Sequence, residues 1–125
     1  MLKQAAAAIG MLMTGLTAGN GLAQDGDPAA GEKVFRQCQA CHVIDAEQNR
    51  VGPHLVGIIG RPAGAVEGFK YSDAMANSGI VWDETTIAEY LANPRSYVEG
   101  NRMAFAGLRN EQQIADVIAY IQSQM

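Results

Sequence analysis

The chain has 125 residues, of which 48% are hydrophobic and 18% are charged, a composition typical of one compact domain. Thirteen Asp and Glu residues outnumber nine Lys and Arg residues, which gives a formal charge of −4. Nonspecific nucleic-acid binding depends on neutralising phosphates with basic side chains, so this charge disfavours nucleic acid as a partner.

The N-terminal segment 1–23 has the layout of a secretory signal peptide. Lys3 gives it a basic start, an apolar run follows over 5–18, and the small residue Ala23 lies where signal peptidase reads its substrate. The apolar run is shorter than the roughly 20 residues that span a membrane. We therefore predict cleavage after Ala23, export to the periplasm and a mature domain of 24–125, with an uncleaved anchor as the alternative.

The only two cysteines of the chain lie in Cys38-x-x-Cys41-His42, the attachment signature of a c-type haem. Asp27-Pro28 is typical of a helix start, so we predict a helix over 29–41. Residues three apart share a helix face, which would let both thiols form thioethers with the porphyrin vinyl groups. His42 follows directly and could bind the iron.

Three other interpretations of the cysteine pair remain open from the spacing alone. A thioredoxin-type redox pair would follow a strand in a βαβ pattern, which is missing here. A zinc site could use Cys38, Cys41, His42 and His54, although adjacent ligands are awkward for tetrahedral geometry. A plain disulfide would leave the histidine unexplained. We favour haem.

A thioether is the expected second axial ligand, because it favours ferrous iron and raises the reduction potential. Beyond the predicted leader the methionines are Met75, Met103 and Met125. Met125 is the last residue, and Met75 lies in a short helical pattern over 72–77, where methionine usually fills the core. Met103 lies in a loop-forming stretch over 93–105 that packing explains poorly. We predict that Met103 is the ligand.

The remaining pattern is helical, without alternating strands. We predict a helix from Asp83 to about Ala92, ended by Pro94, and a last helix that begins at Asn110. The apolar stripe of the last helix consists of Ile114, Val117, Ile118 and Ile121. The long irregular stretch over 43–69 is reasonable if it wraps a large apolar cofactor.

Several motifs in order make the sequence similar to the class I cytochrome c family, in particular to small soluble bacterial relatives of mitochondrial cytochrome c. The match covers essentially the whole mature chain. The shared motifs are Gly31-x-x-x-Phe35, Cys38-x-x-Cys41-His42, Gly52-Pro53-x-Leu55-x-Gly57, Gly60-Arg61, Gly68-Phe69-x-Tyr71-Ser72, Trp82, Tyr90-Leu91-x-Asn93-Pro94, Met103-x-Phe105-x-Gly107 and Ala119-Tyr120.

The resemblance implies an all-α fold of about four to five short helices, with long loops wrapped around one covalent haem c. It also implies roles around that haem. The carbonyl of Pro53 is expected to hold the imidazole of His42 and fix its tautomer. The donors around the haem propionates are expected to be Arg61, Tyr71 and Trp82, and the methionine side is expected to be lined by Tyr90 and Phe105.

The resemblance further implies that Gly31 and Phe35 cross the last helix near Tyr120. The sequence departs from the mitochondrial pattern at Met75, where that branch has an asparagine, and at Glu99, where it has a proline. The lysine-rich docking surface of that branch is also absent. The missing lysine-rich surface bears on which partners the protein binds and not on the haem site, whereas Glu99 in place of proline predicts a less stiff methionine loop.

The implied function is single-electron transport by a monomer that docks transiently and catalyses no reaction. Membrane redox complexes, such as a cytochrome bc complex and a terminal oxidase or reaction centre, are the expected partners. Residues 92–110 carry three Arg against one Glu, a net charge of +2, which predicts a locally basic docking face. The alternative is an open-site haem enzyme or gas sensor, such as a peroxidase, in which Met103 does not bind. His54 lies at a position that the family varies, and we predict no role for it.

Overall fold

The structure is a computed structural model that describes residues 25–125. Its helices are α1 (Pro28–Phe35), α2 (Asp73–Ala76), α3 (Glu84–Ala92), α4 (Pro94–Tyr97) and α5 (Glu111–Ser123). The only strand-like pairing in these residues is an isolated antiparallel bridge between Pro62 and Val81. The all-α prediction is therefore confirmed. The predicted signal peptide and its cleavage site after Ala23 lie outside the described residues.

Side-chain caps begin three of the helices where the sequence predicts them. Asp27 accepts a hydrogen bond from the amide of Ala29 and precedes Pro28 at the start of α1. Asp83 and Thr86 each accept a 2.8 Å hydrogen bond from the backbone N–H of the other, which closes a capping box on α3. Asn110 caps α5 in the same manner. Each cap pairs amides that a helix start leaves free.

The first helix is shorter than predicted, because α1 ends at Phe35 and not near Cys41. Beyond Phe35 the amides bond to carbonyls both three and four residues back. The Cys38 amide donates to Phe35 at 2.7 Å, the Cys41 amide donates to Cys38 at 3.1 Å, and the His42 amide donates to the same carbonyl at 2.9 Å. Bonds of mixed length form consecutive turns instead of a regular helix. The cysteine pair therefore lies on these turns.

The stretch predicted as a loop over 93–105 contains the one-turn helix α4. Pro94 ends α3 as predicted, since a proline disfavours the helical conformation for the residue before it. The same proline then occupies the first position of α4, where its missing N–H costs nothing. Asn93 lies between the two helices and its side chain accepts a 3.3 Å hydrogen bond from the amide of Ser96.

Helices α1 and α5 cross closely, as the resemblance implies. Gly31 is buried there, and a Cβ at this position would lie 1.8 Å from the carbonyl oxygen of Asp116. The rings of Phe35 and Tyr120 pack with centroids 5.1 Å apart. The predicted stripe of α5 is buried at Ile114, Val117, Ile118 and Ile121. None of the helices described here is long and apolar enough to cross a membrane.

Replacing Gly31 with alanine should force α1 away from α5, because the added methyl group meets backbone atoms. We expect Gly31→Ala to lower the free energy of unfolding of the haem-loaded protein by about 3 kcal/mol. Glu32→Ala, an exposed change on the same helix, is the control and should change stability by less than about 0.5 kcal/mol. Guanidinium denaturation measures both, and equal midpoints for the two variants would contradict this description of the crossing.

Candidate functional site

A cavity of about 520 Å³ lies inside the fold, and most of its lining is apolar. Its walls include the core side chains Phe35, Ile58, Ile87, Val117 and Ile121. Every residue that the sequence predicts for the site also lines this cavity. These residues are Cys38, Cys41, His42, Pro53, Arg61, Tyr71, Trp82, Tyr90, Met103 and Phe105.

The imidazole of His42 is fixed in position and tautomer. Its Nδ1 lies 2.7 Å from the carbonyl oxygen of Pro53. Because a carbonyl oxygen can only accept, Nδ1 carries the proton and the N–H donates a hydrogen bond to that oxygen. Burial lowers the pKa of His42, which favours the neutral ring with a lone pair on Nε2. A neutral imidazole of this tautomer is the form that binds a metal through Nε2.

The backbone of Gly52 packs closely against the same ring. A Cβ at Gly52 would lie 2.3 Å from Cε1 of His42, so only glycine lets the backbone approach the imidazole this closely. Gly52 belongs to a motif shared with the cytochrome c family, and its contact with His42 was not predicted from the sequence. Its signal is the glycine directly before the proline that accepts the histidine hydrogen bond.

The environment of Cys38 differs from that of a redox-active thiol. Cys38 and Cys41 are free, and burial, with a smaller contribution from Cys41, raises the pKa of Cys38 to about 11. Exchange-active dithiols depend instead on a lowered thiol pKa. Within 25–125, no three His, Cys, Asp or Glu side chains are grouped so that they could hold a metal ion. Both findings disfavour the thioredoxin-type and zinc alternatives.

Two side chains position Met103 at the cavity. The hydroxyl of Tyr90 donates to the sulfur of Met103 at 3.7 Å, and burial raises the pKa of Tyr90 to about 12, so the phenol keeps its proton. Asn101 accepts a 2.8 Å hydrogen bond from the Met103 amide and donates to the carbonyls of Pro94 and Val98 at 2.7 and 2.8 Å. This role of Asn101 was not predicted from the sequence, although an asparagine two residues before a loop position is typical of a side-chain turn.

Polar groups line another part of the cavity. Arg61 is partly buried, and its Nη1 donates to the carbonyl of His54 at 2.8 Å. The Tyr71 hydroxyl accepts a 3.1 Å hydrogen bond from the amide of Val66, which leaves its own proton free to donate. Trp82 is buried with its ring centroid 5.0 Å from that of Tyr90. Arg61 and Tyr71 thus offer donors to an anionic group in the cavity.

The donor set fits haem c. Apolar walls suit the porphyrin faces, the adjacent thiols suit its vinyl groups, and the arginine and tyrosine donors suit its carboxylates. An imidazole and a thioether suit axial ligation of an iron that brings four nitrogen ligands of its own.

Met75 also lines the cavity, on α2, and is only partly buried. The exposed rim of the cavity is formed by Gln37, Val51, Lys70, Arg102 and Ala104.

Comparison with known proteins gives a consistent result. The family model described as Cytochrome c matches residues 28–124. The chain is 50% identical over 101 residues to "Cytochrome c type-1" of Ascaris suum, covering 80% of this chain and 90% of that protein. It is 51% identical over 90 residues to "Cytochrome c2 iso-2" of Magnetospirillum fulvum, covering 72% and 94%. The solved structure of cytochrome cH from Methylobacterium extorquens is similar with a TM-score of 0.74, at 42% identity, covering 78% of this chain and 99% of that one.

Proposed function

Because this chain belongs to the cytochrome c family, we propose that it carries single electrons on a low-spin haem whose two axial ligands are His42 and Met103. Family membership itself makes the chain a mono-haem electron carrier with haem c attached through Cys38 and Cys41. One observation supports the assignment of the two axial ligands. His42 and Met103 line the same cavity, and each is positioned by its own hydrogen bond, from His42 to Pro53 and from Tyr90 to Met103.

The side chains around the cavity account for electron transfer without catalysis. Bound haem supplies a one-electron couple between ferric and ferrous iron. Hydrogen bonds that hold His42 and Met103 keep the ligand geometry constant between the two states, which limits reorganisation. If His42 and Met103 both bind the iron, the haem would keep no open coordination position at which a substrate could react. The protein is therefore proposed to be no enzyme, in contrast to a peroxidase-like protein or a gas sensor.

We propose that residues 1–23 direct export and that the domain over 24–125 works in the periplasm. The basic start, the short apolar run and Ala23 at the expected cleavage position support this proposal. Cleavage can be tested by measuring the intact mass of the protein purified from a periplasmic fraction. A mature chain that begins at Gln24 supports cleavage after Ala23, whereas a retained leader contradicts it.

The proposed partners are membrane redox complexes, such as a cytochrome bc complex as donor and a terminal oxidase or reaction centre as acceptor. Two basic side chains, Lys70 and Arg102, are exposed and lie on the rim of the cavity. Arg95 and Arg109 are exposed as well, in the stretch of net charge +2. A basic rim steers an otherwise acidic protein so that the cofactor edge meets an acidic surface of the partner.

Removing the proposed thioether ligand tests the ligation. Met103→Ala should keep covalent haem but lower the reduction potential and allow carbon monoxide to bind the reduced protein, because one axial position becomes free. Met75→Ala removes the other thioether of the cavity and is the matched control, which should bind no carbon monoxide. The opposite pattern, or rapid binding by the unmodified protein, would show that Met103 is not the ligand.

Reversing a charge on the rim tests the docking face. Arg102→Glu should slow electron transfer with membranes that contain the redox complexes at low salt, and the difference should shrink at high salt. Arg36→Glu makes the same charge change at an exposed position that does not line the cavity. Equal rates for the two variants at low salt would remove Arg102 from the docking face.

A further inference from the structure

A second, smaller cavity of about 440 Å³ lies beside the haem cavity, and Arg61 lines both. The second cavity is polar, and its lining includes His54, Glu47 and Glu67. The guanidinium of Arg61 therefore has two environments available, one facing the haem and one facing two carboxylates. The hydrogen bonds that hold the Arg61 guanidinium therefore determine how close its positive charge lies to the haem cavity.

His54 supplies most of what holds the guanidinium. Nη1 of Arg61 donates to the His54 carbonyl at 2.8 Å, and Nη2 lies 3.4 Å from Nδ1 of the His54 ring. Nη2 also donates to the carbonyl of Val56. That carbonyl depends on His54 too, because the amide of Val56 donates to the same Nδ1 at 3.2 Å and closes the turn. The amide of His54 itself donates to the side chain of Asn49 at 3.0 Å, which anchors the residue.

These contacts determine the tautomer of His54. A backbone N–H and a guanidinium N–H both point at Nδ1, and neither group can accept a hydrogen bond. Nδ1 must therefore carry the lone pair, and the proton of the neutral ring must lie on Nε2. A proton on Nδ1 would place three donors against one another and would break both contacts.

The same hydrogen bonds determine how many N–H donors of Arg61 remain free for a group in the haem cavity. A guanidinium has five N–H donors. Three of them face the His54 carbonyl, the Val56 carbonyl and Nδ1 of His54, and the other two find no protein acceptor within the described residues. Burial lowers the pKa of Arg61, with smaller opposing effects of Tyr71 and Glu47, yet an arginine stays charged in proteins. A fixed cation with two free donors remains at the wall of the haem cavity.

Building on the proposed function, we propose that His54 is a positioning residue that tunes the reduction potential by holding the Arg61 guanidinium against the haem cavity. Oxidation adds one positive charge to the haem, so a fixed cation beside it favours the reduced state and raises the potential. Without the Nδ1 acceptor, Nη2 of Arg61 loses one of its two acceptors, and the turn that presents the Val56 carbonyl loses its own hydrogen bond. The guanidinium is then held less firmly and can shift toward Glu47 and Glu67, where carboxylates and water screen its charge.

Potentials of four haem-loaded variants test this role. His54→Leu, of similar size but without an acceptor, should lower the reduction potential. His54→Asn places Oδ1 near the position of Nδ1 and should restore the wild-type potential. Arg61→Gln should lower the potential at least as much as His54→Leu. In the double variant His54→Leu/Arg61→Gln the potential should equal that of Arg61→Gln alone, because His54 acts only through Arg61.

Several results would overturn the proposal. An unchanged potential in His54→Leu, an equal loss in His54→Asn, or additive losses in the double variant would each show that His54 does not act through Arg61. Nitrogen-15 NMR of histidine-labelled, reduced wild-type protein above neutral pH gives an independent test that needs no variant to fold. The expected signal is an unprotonated Nδ1 in His54, and a protonated Nδ1 contradicts the proposal. Failure of the proposed function would already appear in the wild type, as absent covalent haem or absent reversible one-electron reduction.

Discussion

An interior cavity that must be filled is the constraint on which the rest of the fold depends. The cavity measures about 520 Å³, and its walls combine side chains from α1, α3 and α5 with a larger number from the segments between the helices. A void of this size between apolar side chains would cost on the order of 10 kcal/mol in lost packing and transfer energy. That cost is comparable to the whole net stability of about 5 to 15 kcal/mol of a typical domain. Haem is therefore a structural component of this protein as well as its redox centre.

The irregular segment over 43–69 follows from the same constraint. It has no helix of its own, yet its backbone is paired with distant carbonyls. The amide of Gly60 donates to the carbonyl of Trp82 at 2.6 Å, and the amide of Ala63 donates to that of Ile80 at 2.7 Å. The segment carries the Pro53 carbonyl and the Arg61 guanidinium to the cavity wall. In a regular helix the backbone carbonyls accept hydrogen bonds from helix amides, so the Pro53 carbonyl would not be free to accept from His42.

Features that depend on neighbours in the chain can be predicted from the sequence. The Cys-x-x-Cys-His spacing identifies the haem site, and Asp27, Asp83 and Asn110 mark helix starts because their side chains cap amides two or three residues away. The resemblance adds site residues that lie far apart in sequence, from Cys38 to Phe105, and these line one cavity. Periodicity alone does not bring those residues together.

The features that sequence reasoning missed depend on contacts that no local pattern encodes. Residues 36–51 contain no glycine or proline, so nothing in the sequence marks the end of α1 or the turns that carry the cysteines. Asn101 bonds back to carbonyls of α4 and its end, and a helix there was not predicted. His54 resembles a variable loop residue until its ring is found between the Val56 amide and Arg61.

Comparing the folded state with and without attached haem tests the central claim most directly. The measurement is cooperative unfolding, followed by circular dichroism, of the wild-type haem protein and of Cys38→Ala/Cys41→Ala. We expect the double variant to carry no covalent haem and to lose both helical signal and a cooperative transition, because its interior stays unfilled. A double variant that is as helical as the wild type and unfolds cooperatively at the same denaturant concentration would contradict the account.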